Sequence, residues 1–325
     1  MAAESRQRKH DGIPESLQNK SLPNLVPIQP AGTRPPFLWI HGDWSNAFLP
    51  DVLGRDQPVF AFKHQSRDGN RALYTDVETI AACYLTQVRS VQRNGPYFLG
   101  GYSFGGTLAF EMARQLMSEG QEVAFLFIID SLAPGSCGES VPPRVSASSS
   151  VQSIVARGGE IPRRLRRLLG LGPRQQVAYV RRRFADQLQQ WTSPVPRTFK
   201  ELTCRVYLFL GRPLPRVVRN HYILGIYHRA VARYNPSAYA GRAIYIKSEL
   251  RPSHHARQWS VLCQGGLEMH EVAGAHHMDI VKEPKAAFWV EKLKRDLWKA
   301  QAQQCGLNDS PSNRAADESR INRPA

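Results

Sequence analysis

Apolar residues along this chain fall into two rhythms. Short continuous runs at Phe37–Ile40, Gln57–Phe62, Tyr97–Leu99 and Val123–Ile129 have the length of buried strands. Between them lie stretches of helical spacing. Asp76–Val91 carries Val77, Ile80, Ala81, Tyr84, Val88 and Val91 on one stripe and is stopped by Asn94-Gly95-Pro96. A second helix is expected from Thr107 to about Gly120, and a short one over Ala47–Leu53. The unbroken apolarity of Val123–Ile129 fits a central parallel strand covered on both faces. Alternation of strand and helix predicts an α/β fold, a mostly parallel central sheet with helices on both faces.

The sheet rhythm lapses from about Ser131 to Ser237. There the pattern is of helical pieces, at Val177, Val180, Phe184 and Leu188, at Leu202–Leu210 and at Tyr222–Tyr234. A long helical insertion between strands predicts a lid over about residues 131–237. Strand signals resume at Ala243–Ile246 and Leu267–Val272. A last helix, Lys285–Lys299, places Trp289, Val290, Leu293 and Leu297 on one side. Residues 1–34 are polar and Pro-rich and are expected to be a disordered leader or linker. Residues 35–303 form the expected single large domain, and 304–325 a disordered tail.

Composition narrows the class without deciding it. The N-terminus has no apolar segment of the kind a signal peptide needs, and no run approaches a membrane span. The five cysteines, Cys83, Cys137, Cys204, Cys263 and Cys305, have neither metal nor redox spacing, which predicts reduced thiols and a cytoplasmic protein. The net charge of +16 is concentrated in Arg144–Arg183, where Arg163, Arg164, Arg166, Arg167 and Arg181–Arg183 interleave with Leu165, Leu168, Leu169, Tyr179 and Val180. The plain reading is a solvated face of lid helices. The functional alternative is a docking face for an acidic protein. No recognition motif accompanies the charge, so nucleic acid is not expected.

The candidate chemistry lies in Tyr97–Thr107, YFLGGYSFGGT. A strand, a very tight turn and a helix put Ser103 at the apex. Gly101 and Gly105 remove the side chains that would block so sharp a turn. The alternative of a phosphate loop fails, because no Lys stands between Gly106 and Thr107. A serine nucleophile needs a base, and the base needs an acid to fix its tautomer. Asp130, delivered by an apolar strand beside Ser103, is the expected acid, with Glu249 the rival and a helix-cap role the bland reading. His276 or His277, after the last strand, supplies the base. The Phe104 N–H is the expected first oxyanion donor, and the Asp43 N–H, after Phe37–Ile40, the second. A metal site is not expected: His270-Glu271 is followed by Gly274 where a second ligand would fall, and His254-His255 has no spaced partner.

Five segments together carry a family resemblance. They are His41-Gly42-Asp43, Gly101–Gly106, Ile129-Asp130-Ser131, Tyr234-Asn235-Pro236 with Tyr239-Ala240-Gly241, and His277–Val281 with Glu283-Pro284. From about Leu25 to Trp298 the chain resembles the thioesterase domains of nonribosomal peptide and polyketide synthases. The resemblance implies an α/β-hydrolase fold with a helical lid, Ser103 as nucleophile, Asp130 as acid and His277 rather than His276 as base. His276 stands where that family often has Asp. The substrate implied is an acyl or peptidyl thioester on the phosphopantetheine arm of a carrier protein, with no cofactor of the enzyme's own. Leu22–Pro36 resembles the linker that follows a carrier domain, yet no Gly-Gly-x-Ser attachment site precedes it, so a carrier acting in trans is expected. Two other functions stay open on the sequence: a carboxylesterase or acyltransferase using the same three residues, and a catalytically silent binding protein whose Arg-rich insertion grips an acidic partner.

Overall fold

The computed structural model describes residues 24–41, 48–134, 196–251 and 253–308. Among the described residues seven strands form one sheet: β1 (Leu25–Gln29), β2 (Phe37–Ile40), β3 (Val59–Phe62), β4 (Tyr97–Tyr102), β5 (Val123–Ile129), β6 (Ala243–Ser248) and β7 (Leu267–Val272). Their order is β1-β3-β2-β4-β5-β6-β7. Only β1 runs antiparallel, against β3; the other pairings are parallel. Parallel strands need crossovers, and the helices α1 (Leu49–Leu53), α2 (Val77–Val88) and α3 (Phe104–Ser118) supply them.

Period-two alternation sends each strand's side chains to two separate cores. Phe37, Trp39, Phe98, Phe127, Ile129 and Ile246 share one face with Leu49 and Leu53 of α1 and with Trp289, Leu293 and Leu297 of a C-terminal helix, α7 (Ala286–Asn308). Trp39 and Trp289 stack there, ring centroids 6.2 Å apart, and the Trp289 indole N–H donates to Ile280 O at 2.7 Å. On the other face Phe62 stacks on Tyr84 of α2, and Phe110 of α3 meets Trp259 of α6 (Ser253–Leu262) edge-on. Asp76 begins α2 by accepting from Thr79 N at 2.8 Å, as an N-cap should.

The chain divides into two compact units. The described part of the main one is residues 24–41, 48–67, 71–134, 223–251 and 253–308; that of the second is residues 68–70 and 196–222. In the second unit, α4 (Arg197–Phe209) buries Cys204 with Leu214 and Val218, and Leu214 N donates to Gly69 O at 2.7 Å. A helix α5 (Arg216–Arg233) follows.

Three expectations need correction, and one helix is new. Leu25–Gln29 lies in the stretch expected to be disordered, yet it is the edge strand β1, and Gln29 Nε2 donates to Gly54 O and Gln57 O. The C-terminal helix continues to Asn308, through residues expected to begin a tail. The expected lid extended to residue 237, but Ile223, Ile226, Tyr227, Ala230, Val231 and Tyr234 are buried residues of the main unit. Their burial follows from apolar positions three and four apart on α5. Helix α6 was not foreseen at all. Residues 1–23, the Arg-rich run and most of the remaining lid and tail expectations lie outside the described residues.

Candidate active site

The turn after β4 is as tight as the glycines imply. Ser103 has φ 57° and ψ −127°, a conformation that costs a non-glycine residue about 1–3 kcal/mol and persists only where its surroundings enforce it. Those surroundings are mostly backbone. A Cβ on Gly101 would collide with Gly105 O, one on Gly105 with Ile40 O, and one on Gly106 with Ser131 Oγ. Ser103 N donates to Ile129 O at 2.8 Å, and Gly106 N to Ser103 O at 3.0 Å. The serine is thus pinned between β4, β5 and the first turn of α3. Phe104 is the first residue of α3, where backbone N–H groups have no acceptor within the helix.

Two other strand ends bring partners to it. Asp130 follows β5 with φ 46°, its N–H donating to Ile246 O at 2.7 Å. His277 follows β7 in a turn closed by His276, whose carbonyl accepts from Asp279 N and Ile280 N. Ser103 Oγ and His277 Nε2 are 2.8 Å apart, and His277 Nδ1 and Asp130 Oδ2 2.7 Å. Tyr102, the neighbour of Ser103, stacks on the His277 ring at 5.1 Å and donates its hydroxyl proton to His277 O. His276 is exposed, its N–H given to Asp279 Oδ1 at 2.7 Å. Of the two histidines only His277 faces the serine. Glu249, the rival acid, accepts from Gly274 N and so ties the turn after β6 to the loop that carries His277.

The Asp130 carboxylate is fully buried and closely surrounded by donors. Ser248 N and Oγ each lie 2.9 Å from Oδ1, and Arg251 Nε 2.8 Å from it. Arg251 Nη2 reaches Oδ2 at 3.0 Å and the Asp130 carbonyl at 2.8 Å. Burial pushes the carboxyl pKa up, but hydrogen bonds from His277 and Arg251, with the Arg251 charge, outweigh it and hold the group ionised well below the usual carboxylate range. Tyr102 moves the other way: burial, with the Asp130 charge adding, keeps its hydroxyl protonated far above the ordinary tyrosine value.

Beneath Phe104 lies a second buried group. His41, at the end of β2 with φ 57°, stacks against Tyr227 at 5.5 Å and Phe104 at 5.9 Å and lies at a tilt to His64 at 4.0 Å. Phe104 and Tyr227 stack at 3.9 Å. The Tyr84 hydroxyl lies 2.7 Å from His41 Nε2 and 3.2 Å from Lys63 O. His41 Nδ1 is buried and without a hydrogen-bond partner among the described residues. Burial first, and His64 second, lower the His41 pKa well below its ordinary value.

The geometry therefore gathers Ser103, Phe104, Asp130 and His277 at one rim of the sheet. Asp43 lies outside the described residues. Sequence reasoning missed Ser248, Arg251 and the role of Tyr102. A polar residue ending the strand beside that of Asp130 was the available signal, legible only once β5 and β6 are known to be neighbours.

Comparison with known proteins follows the same lines. Residues 43–169 match the family model for the thioesterase domain. Malpibaldin synthetase of Mortierella alpina is 34% identical over 142 residues, 42% of this chain and 3% of that protein. Chondramide synthase cmdD of Chondromyces crocatus is 24% identical over 292 residues, 86% of this chain and 7% of that protein. The chain thus spans a small fraction of the synthetases it matches. Among solved structures, the NocB thioesterase domain from the nocardicin cluster superposes with a TM-score of 0.54 at 20% identity, covering 84% of this chain and 98% of that one. A covalent complex of the same domain with a fluorophosphonate nocardicin G analogue gives a TM-score of 0.51, covering 85% and 99% at 20% identity. These superpositions place the chain in the α/β-hydrolase fold.

Proposed function

Proceeding from a chain that resembles the thioesterase domains of nonribosomal peptide and polyketide synthases, we propose that it is a serine thioesterase releasing an acyl or peptidyl chain through an acyl-enzyme. Ser103 Oγ attacks the thioester carbonyl while His277 Nε2 takes its proton. Asp130 accepts the Nδ1–H, fixes the tautomer and stabilises the imidazolium. The tetrahedral oxyanion forms against the Phe104 N–H at the head of α3, where the helix end favours negative charge. Collapse expels the thiolate, which takes the proton from His277 and leaves as a thiol. Water, or a nucleophile within the chain itself, then attacks the Ser103 ester with the same base, and the serine is regenerated. The proton count closes on three side chains, so this sequence of steps calls on no metal and no cofactor.

The observation that carries the reading is the continuous relay of 2.8 Å and 2.7 Å from Ser103 through His277 to a buried, ionised Asp130. The relatives are synthetases, which supports a thioester on a carrier protein's phosphopantetheine arm as the substrate. The test is covalent labelling by a fluorophosphonate, followed by turnover on three acyl donors. Wild type should label stoichiometrically and Ser103→Ala not at all. Acyl-carrier thioester should exceed both acyl-pantetheine and the matching oxygen ester. Faster turnover of the oxygen ester would make the protein a carboxylesterase, and absence of labelling would make it a silent binding protein.

A further inference from the structure

Arg251 occupies an unusual position for a cation, because the nitrogen it approaches is the one that the relay requires to carry a proton. Its Nη2 lies 2.6 Å from His277 Nδ1, while Asp130 Oδ2 lies 2.7 Å from that same nitrogen. A guanidinium has donors only, and a carboxylate has acceptors only. Nδ1 cannot satisfy both. With its proton on Nδ1 the ring bonds to Asp130 and points a bare Nε2 at Ser103. With its proton on Nε2 the ring accepts from Arg251 and presents an N–H to Ser103 Oγ. That second form cannot take the serine's proton.

We propose that Arg251 is a positioning residue that restrains the base: it competes with His277 for Asp130 and holds part of the His277 population in the unproductive tautomer. The local framework leaves Arg251 little freedom. Its side chain is 10% exposed, Arg251 N donates to Ser248 O at 3.0 Å, and its carbonyl accepts from Lys247 Nζ at 3.3 Å. Glu249 N donates to Val272 O, and Glu249 Oε2 accepts from Gly274 N, so the turn bearing Arg251 and the loop bearing His277 hold each other in place. The remaining groups around His277 do not relieve the conflict. Tyr102 spends its proton on the His277 carbonyl, and Lys285 and the His276 N–H both engage Asp279. Removing Arg251 would not unseat Asp130, because Ser248 N and Oγ still hold Oδ1. The rate of a step open to only one tautomer falls in proportion to that tautomer's population. The restraint is therefore read in the rate of acylation and not in substrate affinity.

This inference rests on the serine-relay reading, and the experiment separates the two. Second-order fluorophosphonate labelling is measured for wild type, Arg251→Lys and Arg251→Met, with Ser103→Ala as the blank. The expected order is wild type slowest, Arg251→Lys faster and Arg251→Met about tenfold faster than wild type, with kcat on acyl-pantetheine rising in parallel and KM unchanged. Lysine keeps the charge beside Asp130 but cannot reach Asp130 and Nδ1 together in a planar fork. In parallel, 15N-histidine spectra of wild type, assigned by loss of the signal in His277→Gln, should show an Nε2–H population that gives way to Nδ1–H in either Arg251 variant. Labelling of a folded Arg251→Met at or below the wild-type rate overturns the proposal. So does a wild-type ring found only as Nδ1–H, a result that needs no variant to fold. Failure of wild type to label at all strikes the serine-relay reading instead, while the spectra still decide the tautomer.

Discussion

Asp130 and His41 stand in closely similar places and are treated in opposite ways. Each caps the carboxyl end of a strand of the same sheet, each has a left-handed backbone, and each is buried. Around Asp130 the sequence provides Ser248, Arg251 and His277, so burial is outweighed and the charge stays. Around His41 it provides aromatic faces and another histidine, so burial acts unopposed and the charge is expelled. Burial does not by itself decide whether a rim residue is ionised. The neighbouring strand end decides it, through the number of donors it offers.

The contrast can be broken from the Asp130 side first. Asp130→Asn keeps the shape, removes the acceptor charge that fixes the tautomer, and leaves Arg251 facing a neutral amide. Turnover is expected to fall about 10⁴-fold with the fold retained, measured as kcat on acyl-pantetheine alongside far-UV circular dichroism. From the His41 side the effect is on stability. His41 is neutral when folded and titrates at its ordinary value of 6.5 when unfolded. The unfolded chain therefore binds the extra proton, and stability is fully present above pH 6.5 and lost as pH falls below it, by up to about 1.4 kcal/mol per pH unit. Urea midpoints between pH 5 and 7.5 should show this slope in wild type. It should flatten in His41→Asn, a side chain that tolerates left-handed backbone and does not titrate. Asp130 has the same sign at a lower window. Its contribution is complete above its ordinary value of 3.8 and lost as pH falls further toward the depressed folded value, so Asp130→Asn should show a shallower acid limb than wild type below about pH 4. The smallest effect is expected from Ser248→Ala. It removes one of three donors to Oδ1 and should cost about 1 kcal/mol in a chemical melt, with far less loss of turnover than Asp130→Asn.

What could be read from the sequence follows how local each signal was. The Ser103 turn was legible because its glycines act within five residues, and strand ends after β4 and β5 follow from short apolar runs. The edge strand β1 was hidden by Pro27, which interrupts the apolar run and coincides with the register shift against β3; an edge position is where a strand tolerates proline. Helix α6 begins in a polar Ser-His-His stretch, although buried Ala256, Trp259 and Cys263 have helical spacing. Arg251 and Ser248 were illegible for a different reason. They matter only because β6 lies beside β5, and no pattern within residues 243–251 states which strand is the neighbour. His41 was visible as part of a motif, but the aromatic rings that bury it come from α2, α3 and α5, far apart in the chain.

The hydroxyl of Tyr102, held on the carbonyl of His277, gives the site an internal reference. The alcohol and the imidazole belong to segments 174 residues apart, yet the residue next to the alcohol grips the backbone of the other. One residue thus ties the two segments together beside the 2.8 Å contact between Ser103 Oγ and His277 Nε2. The spacing of that pair is set by a direct bond from the serine's neighbour to the histidine's backbone, and not by the sheet alone.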